Sequence, residues 1–131
     1  MNPGGRAVDI IISNACDKPI YEQISGQIKG HIISGKLKEG DALPSIRGLA
    51  KDLRISVITT KRAYDELEHA GYIYTVAGKG CFVAEKNIEF VREEHLKEIE
   101  SLMLRINELA ATCGLSREGL LEMFKMIGGE E

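Results

Sequence analysis

Residues 43–83 read LPSIRGLAKDLRISVITTKRAYDELEHAGYIYTVAGKGCFV, and this stretch decides the fold. It begins with two short helical patterns separated by a tight link, and Ser45 and Ser56 precede them as N-cap candidates. Two β-type runs follow at residues 72–76 and 81–84, joined by a turn that contains two glycines. This order of elements predicts a helix-turn-helix followed by a β-hairpin wing.

The second of these helical patterns has a core-facing side and an exposed, partly basic side. Its predicted buried face consists of Thr60, Ala63, Tyr64 and Leu67. Its opposite face consists of Val57, Ile58, Lys61, Arg62 and Asp65. Basic residues near the start of an exposed helix suit an element that enters the major groove of DNA. At the tip of the predicted wing, Lys79 is placed to contact a phosphate or the minor groove.

An apolar run and a further helical pattern precede this stretch. The run at residues 8–13, VDIIIS, is rich in β-branched side chains and predicts a short strand. Pro19 opens the first helix, and Asp17 just upstream is its expected N-cap. Isoleucines recur every four residues through this helix, so they predict one apolar stripe facing a core, which ends at Gly35.

Residues 87–131 differ in composition and predict a helical tail. An amphipathic helix of about 25 residues carries apolar side chains at alternating steps of four and three, close to the coiled-coil period. Gly114 ends it, and Ser116 caps a last helix. The two helices are too apolar to be well covered on their own, so they are expected to pack on the winged domain or on a second copy of themselves. A symmetric homodimer is the commonest outcome and is the one predicted. The expected dimerisation residues are Leu96, Ile99, Met103, Ile106, Leu109, Ala110, Leu120, Leu121 and Phe124.

The chain is therefore predicted to be mainly α-helical with a small β-wing. A winged helix-turn-helix domain with an N-terminal arm is expected at residues 1–86, and a helical dimerisation tail at residues 87–131. The net charge of −3 is unevenly distributed. Residues 1–86 carry 12 Lys and Arg against 10 Asp and Glu, whereas residues 87–131 carry 5 against 10. A DNA-binding surface must then be a local basic patch rather than a global positive field.

Composition argues against several other classes of protein. No apolar run approaches the roughly 20 residues of a membrane span, and no convincing signal peptide is present, so a cytoplasmic protein is expected. The three cysteines and three histidines are scattered, and neither a metal nor another cofactor is expected. No Ser/His/Asp or Cys/His grouping indicates an enzyme. The wing turn, AGKG, lacks the spacing of a phosphate-binding P-loop.

Four motifs follow one another in residues 43–83: LPSxRxLA at 43–50, SxxT at 56–59, AYxxLExxG at 63–71 and GxGxFV at 78–83. In this order they resemble the GntR family of winged helix-turn-helix transcriptional regulators. The opening PIYEQI at 19–24 and the short two-helix tail resemble the YtrA subfamily in particular. Most other subfamilies carry a much larger effector domain, for which the tail leaves no room.

The resemblance implies a bacterial repressor that binds an inverted-repeat operator in double-stranded DNA as a homodimer. The DNA-contacting residues expected from the resemblance and from the exposed helix face are Ser45, Arg47, Val57, Ile58, Thr59, Lys61, Arg62, Gly78 and Lys79. Many relatives have an arginine at the position of Val57. Base readout is therefore expected to rely on Arg47, Lys61 and Arg62, on apolar contact with a thymine methyl group, or on DNA shape.

Two other interpretations stay open at this point. The first is a winged-helix protein–protein interaction module that does not bind DNA. DNA binding weakens with salt, with a slope of about −0.9 per phosphate contact, and a hydrophobic protein interface does not. The second is a regulator that senses a small-molecule effector between the tail and the winged domain, although no group of polar residues identifies a ligand.

Overall fold

The computed structural model describes residues 8–128, so most of the predicted N-terminal arm lies outside the described residues. The described residues form five α-helices and a two-stranded antiparallel sheet. The elements are α1 (Ile20–Ser34), α2 (Ile46–Leu53), α3 (Val57–His69), β1 (Ile73–Val76), β2 (Gly80–Val83), α4 (Ile88–Cys113) and α5 (Arg117–Gly128). The prediction of a mainly α-helical chain with a small β-wing is confirmed. The chain divides into two compact units, Met1–Ile88 and Glu89–Glu131.

The first unit is built around one aliphatic core to which α1 and α3 contribute most. Helix α3 packs against both α1 and α2. Ile24, Ile28 and Leu67 are completely buried, and burying an aliphatic side chain of this size contributes about 1.5–3 kcal/mol. The predicted inward face of α3 is confirmed, since Thr60, Ala63, Tyr64 and Leu67 are at most 2% exposed.

The predicted strand at residues 8–13 is wrong, because side chains of α1 bind its backbone in place of a neighbouring strand. The Gln23 amide accepts from the Ser13 N–H at 2.9 Å and donates to the Ser13 carbonyl at 3.0 Å. Gln27 forms the same pair of bonds with Ile11, at 2.9 and 2.8 Å. Since the two amides lie one helical turn apart, they match alternate residues of the extended run.

The start of α1 differs from the prediction. Pro19 is the N-cap residue, and this end of the helix has no side-chain cap. The expected cap from Asp17 is wrong, because Asp17 lies two residues before the N-cap position from which a side chain reaches the first free amides. The end of the helix is as predicted, with Gly35 in the left-handed conformation at φ 91°.

The wing is a tight hairpin with an additional partner. Its turn is closed by the Lys79 N–H, which donates to the Val76 carbonyl at 2.9 Å. Ala42 forms an isolated antiparallel bridge with Phe82, so the segment before α2 is attached to the edge of the two-stranded sheet beside β2. The sequence indicated only a connection there, because residues 37–43 lack a β-type pattern. This bridge joins the start of the helix-turn-helix to the wing.

The tail forms the two helices that the sequence predicts. Gly114 ends α4 with φ 77°, and the Leu115 N–H donates to the Ala110 carbonyl at 2.8 Å. The Ser116 hydroxyl accepts from the Gly119 N–H at 3.0 Å and so caps α5.

Candidate nucleic-acid interface

Both helices of the helix-turn-helix begin with a serine cap. The Ser45 hydroxyl oxygen accepts from the Gly48 N–H at 2.9 Å, and that of Ser56 accepts from the Thr59 N–H at 3.0 Å. The Ser56 hydroxyl also donates to the Thr59 hydroxyl oxygen at 2.9 Å. These bonds use Thr59 Oγ1 as an acceptor, so its proton stays able to donate to a phosphate oxygen. Both predicted caps are therefore confirmed.

A buried tyrosine fixes α3 against the residues that precede α2. The Tyr64 hydroxyl donates to the Pro44 carbonyl at 2.7 Å, and the side chain is only 2% exposed. Burial disfavours the charged phenolate and raises the pKa of Tyr64 above its usual value. This bond holds the first turn of α2 at a constant position relative to α3.

The first turn of α3 presents apolar side chains to solvent. Ile58 is 81% exposed and Val57 is 47% exposed, as the helical pattern predicts. Exposed β-branched residues at the start of a helix contribute little to folding, but they are suited to contact thymine methyl groups in a major groove. Thr59, the next residue, is half-buried.

The two basic residues further along α3 both have intramolecular partners. Lys61 forms an ion pair with Asp65 at 2.8 Å, one helical turn away and exposed. Its hydrogen bond with Asp65 stabilises the charged ammonium group and raises the pKa of Lys61. The Arg62 guanidinium lies 3.9 Å from the centroid of the Tyr21 ring, which belongs to α1.

Helix α2 contributes the exposed cation that the family motif implies. Arg47 is exposed in its first turn and has no ion-pair partner among residues 8–128. Two further exposed cations, Lys51 on this helix and Arg54 directly after its last residue, were missed in the sequence-based prediction. Their spacing of four and seven residues from Arg47 was the signal in the sequence that could have identified them.

The wing tip exposes Gly78 and Lys79. Gly78 has φ 78°, a conformation that favours glycine, and its missing side chain leaves room for a partner to approach the backbone. Behind the tip, the rings of Tyr74 and Phe82 stack across the hairpin with centroids 5.7 Å apart, which stiffens the wing.

The second unit exposes most of the side chains predicted to form a dimer interface. Ala110 is buried and Leu120 half-buried within this unit. The other predicted residues are 44–73% exposed: Leu96, Ile99, Met103, Ile106, Leu109, Leu121 and Phe124.

The described residues offer little for other kinds of site. Within residues 8–128, no three His, Cys, Asp or Glu side chains lie close enough together to hold a metal ion. None of the helices in that range is long and apolar enough to cross a bilayer. A cleft of about 270 Å³ lies beside the end of α1, with Ile32, Leu37 and Val83 among its lining residues.

Two capped helices joined by a three-residue turn, packed on a third helix and followed by a hairpin, define a winged helix-turn-helix protein. The family "Bacterial regulatory proteins, gntR family" matches residues 20–83. The chain is also 35% identical over 112 residues to the HTH-type transcriptional repressor YtrA of Bacillus subtilis (strain 168), with 86% of each chain covered. The chain belongs to the GntR family.

Solved structures of related regulators support the same assignment. A GntR family transcriptional regulator from Listeria monocytogenes is 34% identical with a TM-score of 0.63, covering 84% of this chain and 96% of that one. AraR(DBD) in complex with operator ORX1 is 26% identical with a TM-score of 0.53, covering 60% and 99%. The predicted resemblance to the GntR family, and to YtrA in particular, is confirmed. The protein is a DNA-binding transcriptional regulator, not an enzyme.

Proposed function

We propose that this regulator is a repressor that binds an inverted-repeat operator in double-stranded DNA as a homodimer. The observation that carries the proposal is the exposed start of α3, where Val57 and Ile58 face solvent next to the turn from α2. A recognition helix reads base edges with its N-terminal residues. The description of the related YtrA as a repressor supports the direction of regulation.

The exposed side chains divide into phosphate-binding and base-reading groups. We assign phosphate contacts to Ser45, Thr59, Lys61 and Lys79, with Gly78 allowing close approach of the wing. We assign base or mixed contacts to Arg47 and Arg62, and thymine-methyl contacts to Val57 and Ile58. The free guanidinium of Arg47 supports its role, because it gives up no ion pair within residues 8–128 on binding DNA.

The tail at residues 87–131 is the proposed dimerisation domain, and residues 1–86 are the proposed DNA-binding domain. The exposed apolar side chains of α4 and α5 support this division, because a second copy would remove them from water. Two recognition helices in successive major grooves would lie ~34–36 Å apart, so the tail sets the spacing of the half-sites. The proposed location is the bacterial cytoplasm, on the nucleoid.

We do not propose a small-molecule effector for this regulator. The cleft beside the end of α1 has aliphatic residues such as Ile32, Leu37 and Val83 in its lining. Lys38, Glu39 and Lys86 also line this cleft, so its lining is mixed and does not single out one class of ligand.

The test begins by enriching an operator from a pool of randomised duplexes and measuring affinity by mobility shift. Arg47→Ala is expected to lose preference for the enriched sequence, while light scattering still gives the wild-type mass. Lys36→Gln, on the exposed segment after α1, is the matched control and should bind like the wild type. Failure of the wild-type protein to enrich any sequence would contradict the proposal, as would affinity unaffected by salt, which indicates a protein-interaction module.

A further inference from the structure

We infer that Lys51 and Arg54 are additional DNA-contact residues, and that they form a phosphate-binding track that continues from the base or mixed contact of Arg47 to the C-terminal end of α2. The inference rests on the proposed function, since it concerns the same DNA surface. It differs from that function in assigning one continuous run of phosphate contacts to the first helix of the helix-turn-helix.

Two of the three cations share one side of α2, and the third follows its last residue. Arg47 and Lys51 are four residues apart, so at 100° per residue they lie about 40° apart around the helix axis, and Arg54 comes directly after Leu53. All three are exposed. Leu49, on the buried side of the helix, lies across the helix axis from Arg47 and Lys51.

Among the described residues, the cations of this track are also not paired with acidic side chains. Within residues 8–128, none of the three cations has an ion-pair or hydrogen-bonded side-chain partner. The basic residues of α3 differ in this respect, since Lys61 is paired with Asp65 and Arg62 lies on an aromatic ring. An unpaired stripe of cations is a favourable place for successive phosphates of one strand.

Arg54 has an unusual backbone conformation for an arginine. It ends α2 with φ 59° and ψ 49°, and it is the only non-glycine residue with positive φ among residues 8–128. The Ile55 N–H donates to the Ala50 carbonyl at 3.0 Å, which is the pattern of a Schellman motif. The residues that follow α1, α3 and α4 in the left-handed conformation are all glycines: Gly35, Gly71 and Gly114.

Glycine adopts this conformation without the steric cost that a Cβ atom imposes. An exposed arginine at such a position therefore makes the turn less stable than glycine would. Strained residues of this kind concentrate at functional sites, where the side chain serves binding rather than folding. At Arg54, the property that glycine lacks is the positive charge.

The position of α2 in the motif identifies phosphates as the partner. In a helix-turn-helix, the second helix enters the major groove while the first crosses the DNA backbone. A competing explanation is that Lys51 and Arg54 only stabilise the negative C-terminal end of the α2 dipole. The two explanations predict opposite effects on the midpoint of thermal unfolding when the Arg54 charge is removed together with its backbone strain.

The experiment uses Arg54→Gly and Lys51→Gln in the full chain. Affinity for a fluorescein-labelled duplex of mixed sequence, long enough for two half-sites, is measured by anisotropy over a series of KCl concentrations. Each variant is expected to reduce the slope of log affinity against log salt by about 0.9 per bound protomer. Arg54→Gly is also expected to raise the midpoint of thermal unfolding by about 2–5 °C, whereas Arg54→Lys should keep the wild-type slope.

Lys36→Gln is the control for net charge, because it removes one cation from another segment and should leave the slope unchanged. If Lys51→Gln and Arg54→Gly keep the wild-type slope, the track is refuted. If Arg54→Gly lowers the unfolding midpoint without changing the slope, the dipole explanation is correct. A wild-type protein that does not bind the duplex at all refutes the proposed function itself, a result distinct from both.

Discussion

The guanidinium of Arg62 lies over the ring of Tyr21, 3.9 Å from its centroid, and its Nη2 donates to the tyrosine hydroxyl at 3.2 Å. The contact joins the exposed side of α3 to α1, across 41 residues of sequence. Arg62 therefore has a defined orientation before any DNA binds. A cation held in this way loses less side-chain entropy on forming a further contact.

Replacing the ring tests this orientation. Tyr21→Leu removes the cation–π contact and the hydrogen bond, and should weaken operator binding about 2–5-fold, the equivalent of about 0.5–1 kcal/mol. Tyr21→Phe keeps the ring and should retain most of the affinity. Mobility-shift titration of both variants measures the effect. Tight binding by Tyr21→Leu would mean that the orientation of Arg62 does not matter for DNA.

Ile58 is predicted to read a thymine methyl group. Replacing thymine by deoxyuridine at the contacted base pair removes one methyl, and should weaken wild-type binding roughly fourfold, about 0.8 kcal/mol. In Ile58→Ala the same change in DNA should have little effect, because the partner is already absent. The four combinations of protein and operator form a double-mutant cycle. Equal loss with both proteins would assign the methyl to another residue.

Ile106 is predicted to lie in the dimer interface. Ile106→Glu places a charge where α4 would be buried against a second copy, so the protein should sediment as a monomer. Tight operator binding should be lost with it, because each monomer reaches a single half-site. Glu100→Gln, on the same helix, is the control and should remain dimeric. A dimer of Ile106→Glu in sedimentation would place the interface elsewhere.

Tyr64 is predicted to make stability fall at high pH. Its folded pKa lies above the unfolded value of about 10, so the folded state holds this proton more tightly. The stability that the protonated phenol contributes is present below that pH and lost as pH rises above it. The free energy of unfolding, measured by urea denaturation at a series of pH values above 10, should fall with pH more steeply in the wild type than in Tyr64→Phe. The difference in slope should be about 1.4 kcal/mol per pH unit.

At neutral pH, Tyr64→Phe should cost about 1–2 kcal/mol, because the Pro44 carbonyl loses its bond at 2.7 Å. Tyr72, whose pKa is also raised by burial, is present in both proteins and cancels in the comparison. Parallel curves above pH 10 would show that folding does not raise the pKa of Tyr64.

Most of the architecture could be predicted from local patterns. The serine caps, the apolar stripe of α1 and the left-handed glycines after α1, α3 and α4 depend on residues close together in the chain. The prediction of a strand at residues 8–13 was wrong, because β-branched composition does not show that glutamine side chains of α1 bind the backbone of this segment. The bridge from Ala42 to Phe82 was also missed, because residues 37–43 have no β-type pattern that would indicate it.

By itself the sequence determined the order of the elements, the two faces of α3 and the family, because periodicity, capping and motif spacing are local properties. Only the tertiary structure decided which cations are free. It lays Arg62 of α3 on Tyr21 of α1, and it leaves Arg47 and Arg54 unpaired within the described residues. The pair of Lys61 with Asp65 is different, because it joins residues four apart on one helix, a spacing that the sequence contains. The physical reason is that a side chain's partner depends on packing between helices, which composition and spacing do not contain.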